Sequence, residues 1–232
     1  SAWAQQVGAP GRPSPENATD IDREVAERWT AAAAEAERPR FRPTSVSEAA
    51  RAAPHEEPED GVESPDRKPR EGRFGSLFGS TVHSAIGLRL RDAGLTVEEA
   101  VRRAAARLGL TEHLDDAVGD VTRALDALRA EGLARPPGPE LQIEYPVAGA
   151  WDGGQLLAGY IDLVGATDGH LDVIDFKTDA PPEGELEEAY PDYVSQIRIY
   201  GRLLEAAGVP RGRRLRLGLL FTADAIIRWI RP

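Results

Sequence analysis

The sequence predicts an α/β domain: a mixed β-sheet flanked by helices, with a helical segment before the sheet and an irregular N-terminal lead-in. Three observations carry this. Val82, Ile86 and Leu90 recur at helical spacing, and Thr96-Val97-Glu98-Glu99 then has the form of a capping box. Next, two apolar, β-branched runs, Gly159–Val164 and Leu171–Thr178, flank Asp168-Gly169, the strongest short-range hairpin signal. Finally, a long helical pattern separates that hairpin from two closing strands. Helices, three strands, a helix and two strands, in that order, make a mixed sheet rather than a doubly wound one.

In chain order, residues 1–19 are rich in Pro, Gly, Ser and Ala and read as a flexible lead-in. Asp20 or Thr19 caps a helix over 20–37, with a thin apolar stripe of Ile21, Val25 and Trp29. Residues 38–49 read as an extended approach segment. Residues 50–72 are mostly Pro, Glu, Asp, Arg and Ala, with almost nothing to bury, and are expected to be disordered. The domain division is therefore a lead-in and linker over 1–72 and a packed domain over 73–232. Within the latter, helices are expected from about 81 to 90 and 97 to 108, and one or two more over 111–131, closed by Gly132. A strand follows over Leu141–Val147, then the hairpin, then a loop from Pro181 into a helix over 187–207. Strands over 214–221 and 225–229 close the chain.

Composition removes several chemistries. Of 232 residues none is Cys, which excludes disulfides, Cys-ligated zinc and iron–sulfur clusters. Four scattered His give no zinc spacing. No apolar run reaches the roughly 18 residues of a transmembrane helix, and the N-terminus is not a signal peptide; the expected compartment is the cytoplasm. No Met occurs, even at position 1, so the expectation is a piece excised from a longer polypeptide. The net charge of −11 lacks the usual basic footprint of a nucleic-acid binder. Arg clusters at Arg102, Arg103 and Arg107, and at Arg211, Arg213, Arg214 and Arg216, nevertheless allow a local positive potential.

The hairpin carries the chemistry. With Asp168 and Gly169 as the loop, opposed positions sum to 337, which sets Asp162 across from Asp175. Opposed like charges repel, so the pair is a cost unless a cation cancels it. Alternation puts Lys177 on the face of Asp175, with Tyr160, Val164 and Val173 on the same face, so that face is not simply wet. Lys occurs only at Lys68 and Lys177. In a chain that otherwise writes its positive charges as Arg, a lone strand Lys marks a need for a compact point charge. A solvated face on an edge hairpin would show the same alternation. The functional alternative is hydrolysis of a phosphodiester. That needs carboxylates sharing a hard divalent cation, a group that positions water, and positive charge for the developing anion. Asp162, Asp175 and Lys177 supply these parts, with the Phe176 carbonyl between them and Glu144 on the preceding strand as a further or supporting ligand. Gln196 and Tyr200, four apart on the long helix, share a face and could hydrogen-bond phosphate or base. Tyr200 equally belongs, with Tyr193, Ile197 and Leu204, to the apolar stripe of a packed helix.

Glu144, Gly159-x-Ile161-Asp162, Ile174-Asp175-Phe176-Lys177-Thr178 and Gln196-x-x-x-Tyr200, with Gly79-x-x-x-His83 upstream, together resemble the RecB-type nuclease domain. That domain is a branch of the PD-(D/E)XK nuclease superfamily, found at the C-terminus of RecB and AddA helicase–nuclease subunits. The resemblance covers roughly residues 74–231. It implies a PD-(D/E)XK nuclease-like mixed sheet flanked by helices. It implies His83, Asp162 and Asp175, with the Phe176 carbonyl, as ligands of Mg²⁺ (Mn²⁺ substituting), and Lys177 as the catalytic lysine. Gln196 and Tyr200 fall in the substrate-side helix motif. By the same resemblance the expected activity is a metal-dependent deoxyribonuclease, an exonuclease, serving DNA end processing and double-strand-break repair. DNA, a covalently linked helicase motor and a partner subunit are the expected partners, with no membrane. The missing Cys quartet points to the RecB or AddA side. The missing G-x-x-x-x-G-K-[ST] pattern means that this chain holds no motor of its own. The alternative is a catalytically silent nuclease-fold module used for DNA binding or subunit assembly.

Overall fold

A computed structural model describes residues 20–37, 42–53, 73, 75–167 and 169–230. The expected lead-in over 1–19, residues 54–72 of the acidic stretch, and Asp168 of the hairpin loop lie outside the described residues. Two compact units are formed, Ser1–Arg42 and Pro43–Pro232. The first holds helix α1 (Asp20–Glu37), where the sequence places it.

Strand β1 (Arg42–Ser45) leads into the second unit and is followed by helix α2 (Val46–Ala52). This differs both from the extended segment expected over 38–49 and from the disorder expected from residue 50 onward. Ser45 caps α2 by accepting from the Glu48 N–H, and Val46 and Ala50 are buried. Ser-x-x-Glu is a helix-start signature, so the sequence carried a signal for α2. Helices α3 (Ser76–Arg91), α4 (Val97–Leu108) and α5 (Leu114–Ala130) come next. Both halves of the Thr96/Glu99 capping box are present, and Gly109 closes α4 in the left-handed region at φ 87°. Strands β2 (Leu141–Trp151), β3 (Gln155–Thr167) and β4 (His170–Lys177) follow. β2 runs four residues past the expected Val147. The long helix is split: a short α6 (Leu186–Ala189) stops at Tyr190, and Pro191, which lacks an N–H, starts α7 (Pro191–Ala206). β5 (Arg214–Phe221) and β6 (Ile226–Ile230) close the chain.

The six strands form one mixed sheet in the order β1-β3-β4-β5-β6, with β2 also on β3. β4 and β5 are parallel, joined across α6 and α7; the β2–β3, β3–β4 and β5–β6 pairs are antiparallel. A strand has two hydrogen-bonding edges. β2 occupies one edge of β3 from 155 to 165, and β4 takes 163–167 of the other, so β1 is left the N-terminal half of that second edge. Helices α3, α4 and α5 cover one face, packing Phe78, Val82, Ile86, Val121 and Leu128 against Leu163, Ile174, Phe176 and Leu220. Helices α2 and α7 cover the other, packing Val46, Ile197, Tyr200 and Leu204 against Ile161, Val164, Val173 and Leu219. Among the described residues no helix is long and apolar enough to cross a membrane.

One irregularity positions the site. In β3, Leu157 and Ile161 face α7 whereas Leu163 faces α3. In β2, Leu141 and Ile143 face α3 whereas Tyr145 and Val147 face α7. Both strands swap faces, at Asp162 and at Glu144. The pairing skips those two residues yet keeps the same register on either side of them. Glu144 makes the turn with φ 54°, a left-handed conformation uncommon outside Gly, Asn and Asp. Simple alternation therefore fails here: Val164 and Val173 face α7 as expected, but Tyr160 falls on the opposite side and is 68% exposed.

Candidate active site

The hairpin register is the expected one. Leu163 pairs with Ile174 and Thr167 with His170, every pair summing to 337. The ladder ends one step before the aspartates. Because β3 swaps faces at Asp162, its carboxylate does not stand opposite Asp175 in a regular pair. Asp162 Oδ2 instead accepts from the Phe176 backbone N–H at 2.7 Å, and Oδ1 lies 3.2 Å from His83 Nδ1. Asp162 thus ties β3, β4 and α3 together at one point.

Helix α3 reaches Asp162 along a single stripe. Gly79, His83, Gly87 and Arg91 are four apart and share a face. Gly79 sits so close to β4 that a Cβ there would lie 2.8 Å from Thr178 Oγ1. His83 meets Asp162 on β3, Gly87 packs beside Ile143 on β2, and Arg91 donates to Glu144 Oε2 at 2.8 Å. The helix crosses three strands on this stripe, and the missing side chain at Gly79 lets its first turn approach the site. The His83 ring also meets Phe176 edge-on, with centroids 5.6 Å apart.

Asp175 and Lys177 point the other way, under α7. Asp175 is 4% exposed, and its Oδ2 lies 2.6 Å from Lys177 Nζ. The two groups form a close, buried ion pair. Lys177 Nζ donates to Gln196 Oε1 at 3.0 Å and stands 3.9 Å above the centre of the Tyr193 ring. Gln196 Nε2 donates to Ser47 Oγ at 3.0 Å and to the Tyr200 hydroxyl at 3.3 Å. Tyr200 donates onward to the Tyr160 carbonyl at 2.9 Å. Gln196 and Tyr200, read from sequence as candidates for phosphate or base contacts, are turned inward. They hold the lysine and anchor β3 just before Asp162. Gly159 admits the Tyr200 ring, since a Cβ there would lie 3.2 Å from it.

The electrostatics separate the two carboxyls. Burial pushes Asp175 up, the Lys177 charge opposes it, and the neighbouring Asp162 charge adds to it; the net direction is up. For Asp162 burial pulls upward, but the His83 charge and hydrogen bond and the Phe176 N–H outweigh it, so the acid is strengthened. Burial disfavours the charged His83 ring, yet Asp162 raises its affinity for a proton. Burial, with Asp175 nearby, pushes the Tyr200 phenol above its ordinary range and keeps it a donor. Two carboxyls whose environments drive them apart are a pattern of acid–base sites.

The structure brings together His83, Asp162, Phe176, Asp175, Lys177, Gln196 and Tyr200. It holds Glu144 at their margin, exposed and paired with Arg91. Ser47 and Tyr193 carry no separate signal in the sequence: Ser47 lies in the segment expected to be extended, and Tyr193 falls on the packing stripe of the long helix. Two of the four arginines near the C-terminus have acidic neighbours: Arg216 pairs with Asp172 and Glu131, and Arg213 lies 3.9 Å from Glu140. Among the described residues, no three His, Asp or Glu side chains gather as a ready metal cage. Mg²⁺ does not require one, because it keeps several waters and binds through one or two carboxylates. The two carboxyls, Asp162 and Asp175, close enough for the charge of one to raise the proton affinity of the other, fit such an ion.

A sequence model described as the PD-(D/E)XK nuclease superfamily matches residues 57–227, well over half of the chain. A comparison with curated proteins found no match.

Proposed function

Because the chain belongs to the PD-(D/E)XK nuclease superfamily, we propose that it is a divalent-metal-dependent deoxyribonuclease, using Mg²⁺ or Mn²⁺ to hydrolyse DNA phosphodiester bonds. The observation that carries this reading is the buried Asp175–Lys177 ion pair with a second carboxylate, Asp162, close enough for its charge to raise the proton affinity of Asp175. Burying charge is costly unless it is fully paired, and a site that holds Asp175 this way is arranged for a further cation. Asp162, Asp175 and the Phe176 carbonyl would hold the ion, with His83 orienting Asp162. When bound, the ion supplies Lewis-acid charge to the phosphate and lowers the pKa of attached water.

The protein's own part is positioning. An ammonium has three N–H donors. Gln196 takes one and the carboxylate of Asp175 attracts a second, leaving the third for the attacking water or a phosphate oxygen. The Tyr193 face and the Gln196–Ser47 link fix where that donor points. Such a fixed charge stabilises the negative charge that develops on the phosphorus oxygens.

The ordered Gly79/His83 and Gln196/Tyr200 pairs support assignment to the RecB/AddA-type branch. On that assignment the domain is the C-terminal, exonucleolytic part of a cytoplasmic helicase–nuclease that processes DNA ends in double-strand-break repair with a partner subunit. The competing reading is a silent nuclease-fold module for DNA binding or assembly, which the net charge of −11 does little to favour. The test is cleavage of single-stranded and duplex DNA by the whole chain with Mg²⁺ or Mn²⁺, against Asp175→Ala and Lys177→Ala. Metal-dependent cleavage lost in both variants is expected. Variants that cut as fast as wild type, or binding in EDTA with no cleavage under any metal, would overturn it.

A further inference from the structure

Beyond the face swap, the β2–β3 arm projects past α3. Its α7-facing side carries Tyr145, Val147, Leu157 and Ile161 and is covered. Its other side is not. There the register pairs Pro146 with Tyr160, Ala148 with Ala158 and Ala150 with Leu156, and all six are exposed. The patch carries no charge and no side-chain hydrogen-bonding group except the Tyr160 hydroxyl. Pro146 is tolerated because β2 has only β3 as a partner, so no ladder donor is missing on its free side. Four of the six are Ala or Pro, which gives a flat floor with one raised aromatic ring. That ring belongs to Tyr160, two residues before Asp162, or about 7 Å along the strand. Its backbone is pinned by Tyr200, so the ring stands on a fixed base.

We propose that this face is the platform on which the bases of a single-stranded DNA lie as the adjoining phosphate enters the site, with Tyr160 stacking on the base nearest the scissile bond. The proposal rests on the nuclease reading above. Three features select this occupant. The patch adjoins Asp162, whose carboxylate meets His83 on the α3 side of the sheet, so a chain whose phosphate sits at Asp162 can pass over it. It is neutral, which suits the base side of a strand and not its phosphates. It is also small. Two strands of five residues present roughly 16 Å by 10 Å, far below the roughly 800 Å² per partner of a stable protein interface. Base–aromatic stacking needs only one ring and tolerates any sequence.

The experiment uses the whole chain and an oligonucleotide carrying 2-aminopurine, whose fluorescence falls on stacking. It is read first in EDTA, then as cleavage in Mg²⁺. Wild type and Tyr160→Phe should quench the probe, and Tyr160→Ala should not. Tyr160→Leu, which keeps apolar area without a π face, should behave like Ala. In cleavage, Tyr160→Ala should raise KM for single strands about 5- to 150-fold, the range a single stacked base supplies, with kcat little changed. Tyr160 is exposed, so these variants retain the fold, which circular dichroism checks. Quenching without cleavage in wild type would leave the platform standing and remove the nuclease reading. Cleavage with unchanged KM and quenching in Tyr160→Ala would remove the platform and leave the nuclease. Concentration-dependent self-association abolished by Leu156→Glu, with DNA binding unaffected, would show that the face serves a second copy and would also overturn the proposal.

Discussion

Strand β4 carries two buried carboxylates three residues apart, and they are treated in opposite ways. Asp172 is fully buried, and both oxygens are matched: Arg216 grips it through Nε at 2.6 Å and a second nitrogen at 2.9 Å, and the Thr167 hydroxyl donates at 2.8 Å. Asp120, on α5, is served in the same way by Arg73, Arg123 and the Thr222 hydroxyl. Asp175 has a single lysine ammonium instead of an arginine fork, and the charge of a second carboxylate, Asp162, acts against it. Asp172 is satisfied as a structural carboxylate must be. Asp175 has a single ammonium, and the nearby Asp162 charge works against its ionised form. Composition alone does not tell the two apart; the partners do.

The sharpest way to break this comparison is to neutralise each acid. Asp175→Asn should reduce cleavage by at least about 100-fold, the scale on which losing an electrostatic group acts at a transition state. Its thermal stability should fall, but modestly, because Lys177 keeps Gln196 and the Tyr193 face when it loses the carboxylate. Asp172→Ala should cost more stability and spare the chemistry. Arg216 is left without its fork partner, and unfolding in urea should show a loss of about 3 kcal/mol, the low end for a buried pair because Arg216 is partly exposed. Metal-dependent cleavage by the remaining folded fraction should persist. If both variants lost stability equally, the distinction between the two carboxylates would be gone.

Gly79→Ala probes the junction of scaffold and site. The added Cβ meets Thr178 Oγ1 and should push the start of α3 outward, at a cost of about 2 kcal/mol, with weaker cleavage because His83 moves with the helix. A second change, Thr178→Ala, removes the obstructing oxygen and should restore much of both, a coupling that a double-mutant cycle measures. The smallest effect belongs to a control far from either carboxylate. Thr96→Ala removes the α4 cap and should cost about 1 kcal/mol in urea unfolding, with kcat/KM of the folded protein unchanged.

Local signals settled much of this protein in the sequence itself. Periodicity and caps placed α1, α3 and α4, because a helix start such as Thr96-x-x-Glu99 is decided within one turn. The hairpin register followed from alternation and the Asp168-Gly169 loop. Asp162, Asp175, Lys177 and His83 could be named as a set because their order and spacing match a family pattern. Tertiary structure decided the rest. Asp162 and Glu144 interrupt the alternation of their strands, and period-2 reasoning has no means of seeing a coordinated swap between two chains of residues. Gln196 and Tyr200 turned inward because Ser47, 149 residues away, and the Tyr160 carbonyl were there to receive them. Asp172 is gripped by an arginine fork and Asp175 by a single ammonium for the same reason: what satisfies a buried charge is a neighbour in space, and a sequence reports neighbours only along the chain.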